Sequence, residues 1–147
     1  MKKNIFEKKL ILFLVIGFVF CLRAFALEPK VDVDITRMSP TFVYAQVFNM
    51  LISPEEYEGK LVRIKGKFYV FTYEDENGEI QNSFSCIVQD ATACCAQGLA
   101  FRLSGKHEYP EDYPSVNDEI IVQGRFHQFE VDGFSRIELV DSFLERL

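Results

Sequence analysis

The chain has 147 residues, length for one domain, with 16 Lys and Arg against 22 Asp and Glu and a formal net charge of −6. Such an acidic surface repels a phosphate backbone, which argues against nucleic acid as a partner and leaves cations as the easier ligands.

At the N-terminus, Lys2, Lys3, Lys8 and Lys9 precede an apolar run of 13 residues, Leu10 to Leu22, and then Ala24-Phe25-Ala26. This is the layout of a secretory signal peptide, residues 1–26, cut after Ala26. A membrane-spanning helix takes about 20 apolar residues, and Arg23 stops this run short. The protein is therefore expected to be exported, periplasmic or extracellular, and to touch a membrane only if the segment stays uncleaved. Lipid attachment at Cys21 is disfavoured by the bulky Phe20 before it. Cleavage would remove five of the basic residues and one of the acidic ones, leaving a net charge near −10. The remainder is long enough to bury a core without staples.

Residues 27–38 read as an extended leader, in which Val31, Val33 and Ile35 alternate with Asp32 and Asp34. The domain proper is expected over residues 39–147. Ser39-Pro40 marks a helix start, and Val43, Val47, Phe48, Leu51 and Ile52 recur at helical spacing up to Ile52. Ser53-Pro54 ends the helix and residues 55–59 turn.

From Lys60 the period becomes two. Val62, Ile64, Phe68 and Val70 face one way, with Arg63, Lys65 and Lys67 on the other side. Asn77-Gly78 signals a hairpin. A second strand runs from Ile80 to Gln89, with Phe84, Cys86 and Val88 on one face. A loop over Asp90 to Gly98 leads to a third strand, Leu99 to Leu103. Residues 104–117 form a connection without helical periodicity, and strands over 118–130 and 134–142 follow, joined by the turn Val131-Asp132-Gly133. Gly66 and Gly124 sit in matching strand–Gly–Phe patterns and supply the bends a small barrel needs. The fold class expected is all-β, a five-stranded OB-type barrel with one N-terminal capping helix. The usual OB helix lies between strands three and four, and Pro40–Ile52 would take over its capping place. An open sheet packed by the same helix is the alternative.

Two segments carry a resemblance: Pro54-Glu55-Glu56-Tyr57-Glu58-Gly59-Lys60 and Asp90-Ala91-Thr92-Ala93-Cys94-Cys95-Ala96-Gln97-Gly98. In both, the chain resembles a family of small exported bacterial OB-fold proteins with a P-E-E-Y-x-G-K turn and a D-A-T-A-C-C-x-x-G loop. The resemblance implies an association with metal-uptake transporters, hence metal handling in the envelope with a transporter or its binding protein as partner. It brings no established ligand residues with it.

The cysteines of the domain, Cys86, Cys94 and Cys95, admit three readings. Neighbouring cysteines pair poorly, because consecutive Cα atoms stand about 3.8 Å apart, closer than disulfides prefer. A structural disulfide from Cys86 to Cys94 or Cys95 would close a loop of about nine residues, worth roughly 2.6 kcal/mol. A metal site would use the three thiolates as soft ligands for zinc or cuprous copper, with His107, His127 or water as the fourth ligand. The spacing matches no standard zinc finger. A thiol redox site would want a nearby cation, and residues 90–98 contain none.

Among other residues, His107 and His127 read first as surface histidines, with His107 the candidate metal ligand. Glu108, Glu111 and Asp112 read as a solvated loop cluster. Tyr69, Phe71 and Tyr73 form an aromatic row on the Lys65 and Lys67 face, where OB barrels place ligands. No phosphate loop, catalytic triad or paired carboxylates stand out, so an enzyme is not expected. The reading favoured is an exported accessory in envelope metal handling that uses Cys86, Cys94, Cys95 and His107. Its rival is an interaction module that uses the Tyr69–Tyr73 face while its cysteines form a structural disulfide.

Overall fold

Apolar alternation on both halves of one long strand decides the architecture. The computed structural model describes residues 30–75, 77–131 and 133–147. The expected signal segment, the start of the leader and Asp132 of the last turn lie outside those residues. Strand β2, Leu61–Glu74, sends Val62, Ile64 and Phe68 inward and exposes Lys67, Tyr69, Phe71 and Tyr73. Its first half pairs antiparallel with β5, Glu119–Val131, and its second half with β3, Ile80–Gln89. β3 then pairs with β4, Ala96–Leu103. β4 runs parallel to β6, Phe134–Arg146, and β6 closes on β5.

The strands therefore follow one another as β2-β3-β4-β6-β5 and return to β2. Such closure leaves a sheet no free edges. This order, with a parallel third and fifth barrel strand, is the OB-type barrel. The expected five strands are there. β4 starts three residues earlier and β6 runs four residues further than alternation suggested.

The two repeated glycines stand where strands cross closely. A Cβ at Gly66 would lie 2.5 Å from the Ile87 carbonyl oxygen and 2.7 Å from Cys86 Sγ. At Gly124 it would collide with Ser142 Oγ and come within 2.9 Å of Leu139 Cβ. Any side chain there would push two barrel strands apart. At the Asn77-Gly78 hairpin, Asp75 N donates to the Glu79 carbonyl and Gly78 takes the left-handed φ of 80°.

Helix α1, Pro40–Ile52, packs on β3 and β4 and drops Val43, Val47 and Met50 into the barrel core. Here the expected stripe is corrected: Phe48, Leu51 and Ile52 are exposed, and Met50 takes the inward place. The helix carries no charged residue, and only Thr41, Gln46 and Asn49 mark its side away from the core. Pro40 opens it as expected, although the Ser39 side chain makes no capping bond. The connection over residues 104–118 has no helix. It is held by aromatic packing instead, with the Tyr113 ring stacked on Phe84 at 3.9 Å between centroids.

From Val31 on, the leader belongs to the packed unit, which spans Val31–Leu147. Its strand β1, Val33–Asp34, runs parallel to β2, and Ile35 is fully buried. The backbone of Ile35 donates to the Arg63 carbonyl at 3.0 Å. No helix among the described residues is long and apolar enough to cross a membrane.

Candidate functional site

The reversal between β3 and β4 is built around one carboxylate. Asp90 Oδ1 accepts the backbone N–H of Cys94 at 2.9 Å and of Cys95 at 3.2 Å. Its Oδ2 accepts the Thr92 hydroxyl at 2.7 Å and the Cys94 thiol at 3.4 Å. The main chain closes the turn with Ala93 N to the Asp90 carbonyl and Asp90 N to the Cys95 carbonyl. Ala93 sits at a φ of 55°, the left-handed region that costs an L-residue roughly 1–2 kcal/mol. An aspartate that accepts from amides further along the chain is the usual way to fix such a turn.

This local geometry brings Cys94 Sγ to 3.6 Å from Cys95 Sγ. One oxygen of Asp90 and the two sulfurs all lie within 4.8 Å of one another. Both thiols are exposed. The Thr92 hydroxyl, followed by the Cys95 amide, holds the Asp90 carboxyl below the ordinary carboxylate value. The Cys95 thiol is raised, first by its bond to Cys94, then by the charge of Cys94 and of Asp90. The loop is thus a small exposed corner of one carboxylate and two sulfurs. Two soft donors, one hard donor and open solvent on one side can take a borderline or soft cation once the thiol protons leave.

Cys86 does not join them. It lies on the inward face of β3, fully buried, with its sulfur against Gly66. Burial pushes its thiol up to about 12. A group so placed stays protonated and cannot reach the loop without leaving the core, so the expected three-cysteine cluster is replaced by Asp90, Cys94 and Cys95. The expected disulfide is also absent among the described residues, where all three cysteines are free thiols.

His107 belongs to a different part of the surface. Its Nε2 is 2.8 Å from the Ser104 carbonyl oxygen, and its Nδ1 is 3.9 Å from Asp112 Oδ2. His127 has a structural task that its sequence position did not announce. Its Nδ1 donates to Glu58 Oε1 at 2.9 Å, while Gln128 N donates to Glu58 Oε2 at 2.7 Å. Arg125 adds a bond to the Gly59 carbonyl oxygen at 2.6 Å. The turn at residues 54–60 is therefore clamped to β5, and the His127 bond is the main cause of the lowered Glu58 carboxyl.

Tyr69, Phe71 and Tyr73 stand in the expected row on the outward face of β2, 41%, 50% and 54% exposed. Tyr69, Phe71, Ser85, Ile87 and residues 96–98 of β4 line a groove of about 390 Å³.

No family model and no curated protein matches the chain. Among solved structures, the chain is similar to the OB domain of a Thermoplasma acidophilum protein, determined by solution NMR. The two share 16% identity over 59% of this chain and 74% of that one, with a TM-score of 0.29. The class of the domain, an OB-type barrel, rests on its own strand order and on the parallel β4–β6 pair.

Proposed function

We propose that this protein is an exported OB-barrel module that binds a soft or borderline cation, of the zinc or cuprous copper kind, at Asp90, Cys94 and Cys95. It acts as a non-catalytic accessory in envelope metal handling, beside a transporter or its binding protein. The observation that carries the reading is the convergence of three ligand atoms within 4.8 Å on one exposed turn. Three protein ligands with an open side are the pattern of a site that keeps a position for exchange, whereas closed structural sites use four. Export rests on the charged start, the apolar run and Ala24-Phe25-Ala26 of the sequence.

Zinc titration by calorimetry tests the site. One ion per chain is expected for the reduced protein, with binding abolished in Cys94→Ser/Cys95→Ser. Asp90→Asn should weaken binding by about tenfold or more, the loss typical of a disturbed ligand shell. Asparagine keeps the oxygen that holds the turn, so the folded state survives the test. Equal zinc affinity in all three proteins would overturn the reading.

A further inference from the structure

The outward side of β2, β3 and β4 combines features that the cation site does not use. Along β2 the alternating outward positions are Arg63, Lys65, Lys67, Tyr69, Phe71 and Tyr73. Across from them lie Ser83, Ser85 and Ile87 of β3, then Ala96, Gly98 and Ala100 of β4. Aromatic rings thus form a wall, and small residues form the floor beside it. The Tyr69 and Phe71 rings are 4.9 Å apart between centroids. The floor is kept flat at Gly98, where a Cβ would lie 2.5 Å from Ile87 Cδ1 and 2.8 Å from the Cys86 carbonyl oxygen.

The charges on this side also have a pattern. Arg63 pairs with Glu145, Lys65 with Glu119 and Arg102 with Glu138. Lys67 forms no ion pair among the described residues, although the chain as a whole is acidic. It stands two residues before Tyr69 on the same face, roughly 7 Å along the strand. It is also the cross-strand partner of Ile87, which lines the groove.

We propose that this face is a second binding site, which takes a small planar molecule carrying one negative group, its ring against Tyr69 and Phe71 and its anion at the Lys67 ammonium. Exposed aromatic faces gain by stacking a flat partner on them. Lys67 stands across the strands from Glu119, which is ion-paired with Lys65, so the Lys67 ammonium is left for one anionic group. A polyanion would meet Asp90 and Glu119, which line the adjoining groove with Lys67. The site does not depend on the cation site, and the two are tested apart.

The test titrates sodium naphthoate into the full chain, followed by backbone amide shifts. Naphthalenemethanol serves as the uncharged control and cyclohexanecarboxylate as the non-planar one. Saturable shifts at Tyr69, Phe71, Ser85 and Gly98 are expected, with both controls binding more weakly. Phe71→Ala should weaken binding by about five- to a hundredfold, the range of a single lost stacking contact. Phe71→Leu, which keeps an apolar side chain, should lose nearly as much and covers the case in which alanine unfolds the strand. Lys67→Gln should erase the preference for naphthoate over naphthalenemethanol, and Cys94→Ser/Cys95→Ser should change nothing. Shifts elsewhere, no saturation, or equal binding of the charged and uncharged compounds would overturn the proposal.

Discussion

At the scale of single residues, Asp90 shows how one side chain can make a site by making a turn. Its Oδ1 accepts the amides of Cys94 and Cys95 while its Oδ2 accepts the Thr92 hydroxyl and the Cys94 thiol, and together they gather both thiols around a carboxylate. The same scale explains why Cys86 behaves differently. It shares the inward face of β3 with Val88 and is buried there, whereas the loop cysteines are exposed; the expected cluster of all three put their closeness along the chain above that alternation. Cys86→Ser would put a hydroxyl into the core and is expected to cost about 1–3 kcal/mol in urea unfolding. Cys94→Ser and Cys95→Ser, both at exposed positions, should stay within about 0.5 kcal/mol of the parent. Cation binding should follow the opposite order, lost in the loop variants and kept in Cys86→Ser. Equal destabilisation by all three would show the loop cysteines to be structural.

At the scale of elements, the strands were legible and the helix face was not. Period-two alternation over Val62, Ile64 and Phe68, and the glycines at 66 and 124, follow directly from a closed barrel with close strand crossings. In α1 large apolar residues flank the inward stripe on either side, and without a charged residue to oppose them the spacing did not separate Phe48 from Met50. Met50→Ala is expected to cost about 2–5 kcal/mol, the loss of a fully buried side chain. Phe48→Ala should cost less than about 1 kcal/mol, as at most exposed positions. Comparable losses in the two variants would contradict the helix orientation. The leader was equally hard to place, because its pairing with β2 is parallel and comes from 29 residues away, a contact no local pattern encodes. Asp90 was missed as a ligand for a related reason: its role arises only once the turn folds its side chain back over the following amides.

At the scale of the whole molecule, several carboxylates link stability to pH. Asp34 is lowered first by its bond to Thr36, Glu58 by His127, Asp75 by the Glu79 amide and Asp90 by Thr92. A carboxyl lowered on folding contributes stability that is complete above its ordinary value, 3.8 for Asp and 4.5 for Glu. That contribution is lost as pH falls through the lower folded value. Glu138 is raised, chiefly by burial, and runs the other way. Four groups against one make the barrel weaken in acid below about pH 4.5. Urea midpoints measured from pH 7 to pH 3 should fall over the last part of that range, and a flat profile would contradict the assignment.

The central claim, a cation held at the β3–β4 turn, is met most directly by native mass spectrometry of the protein purified without chelator. The account predicts one zinc or copper ion per chain, released when Cys94 and Cys95 are alkylated. A chain that carries no metal and is lighter by two hydrogens would show a disulfide in its place and contradict the claim.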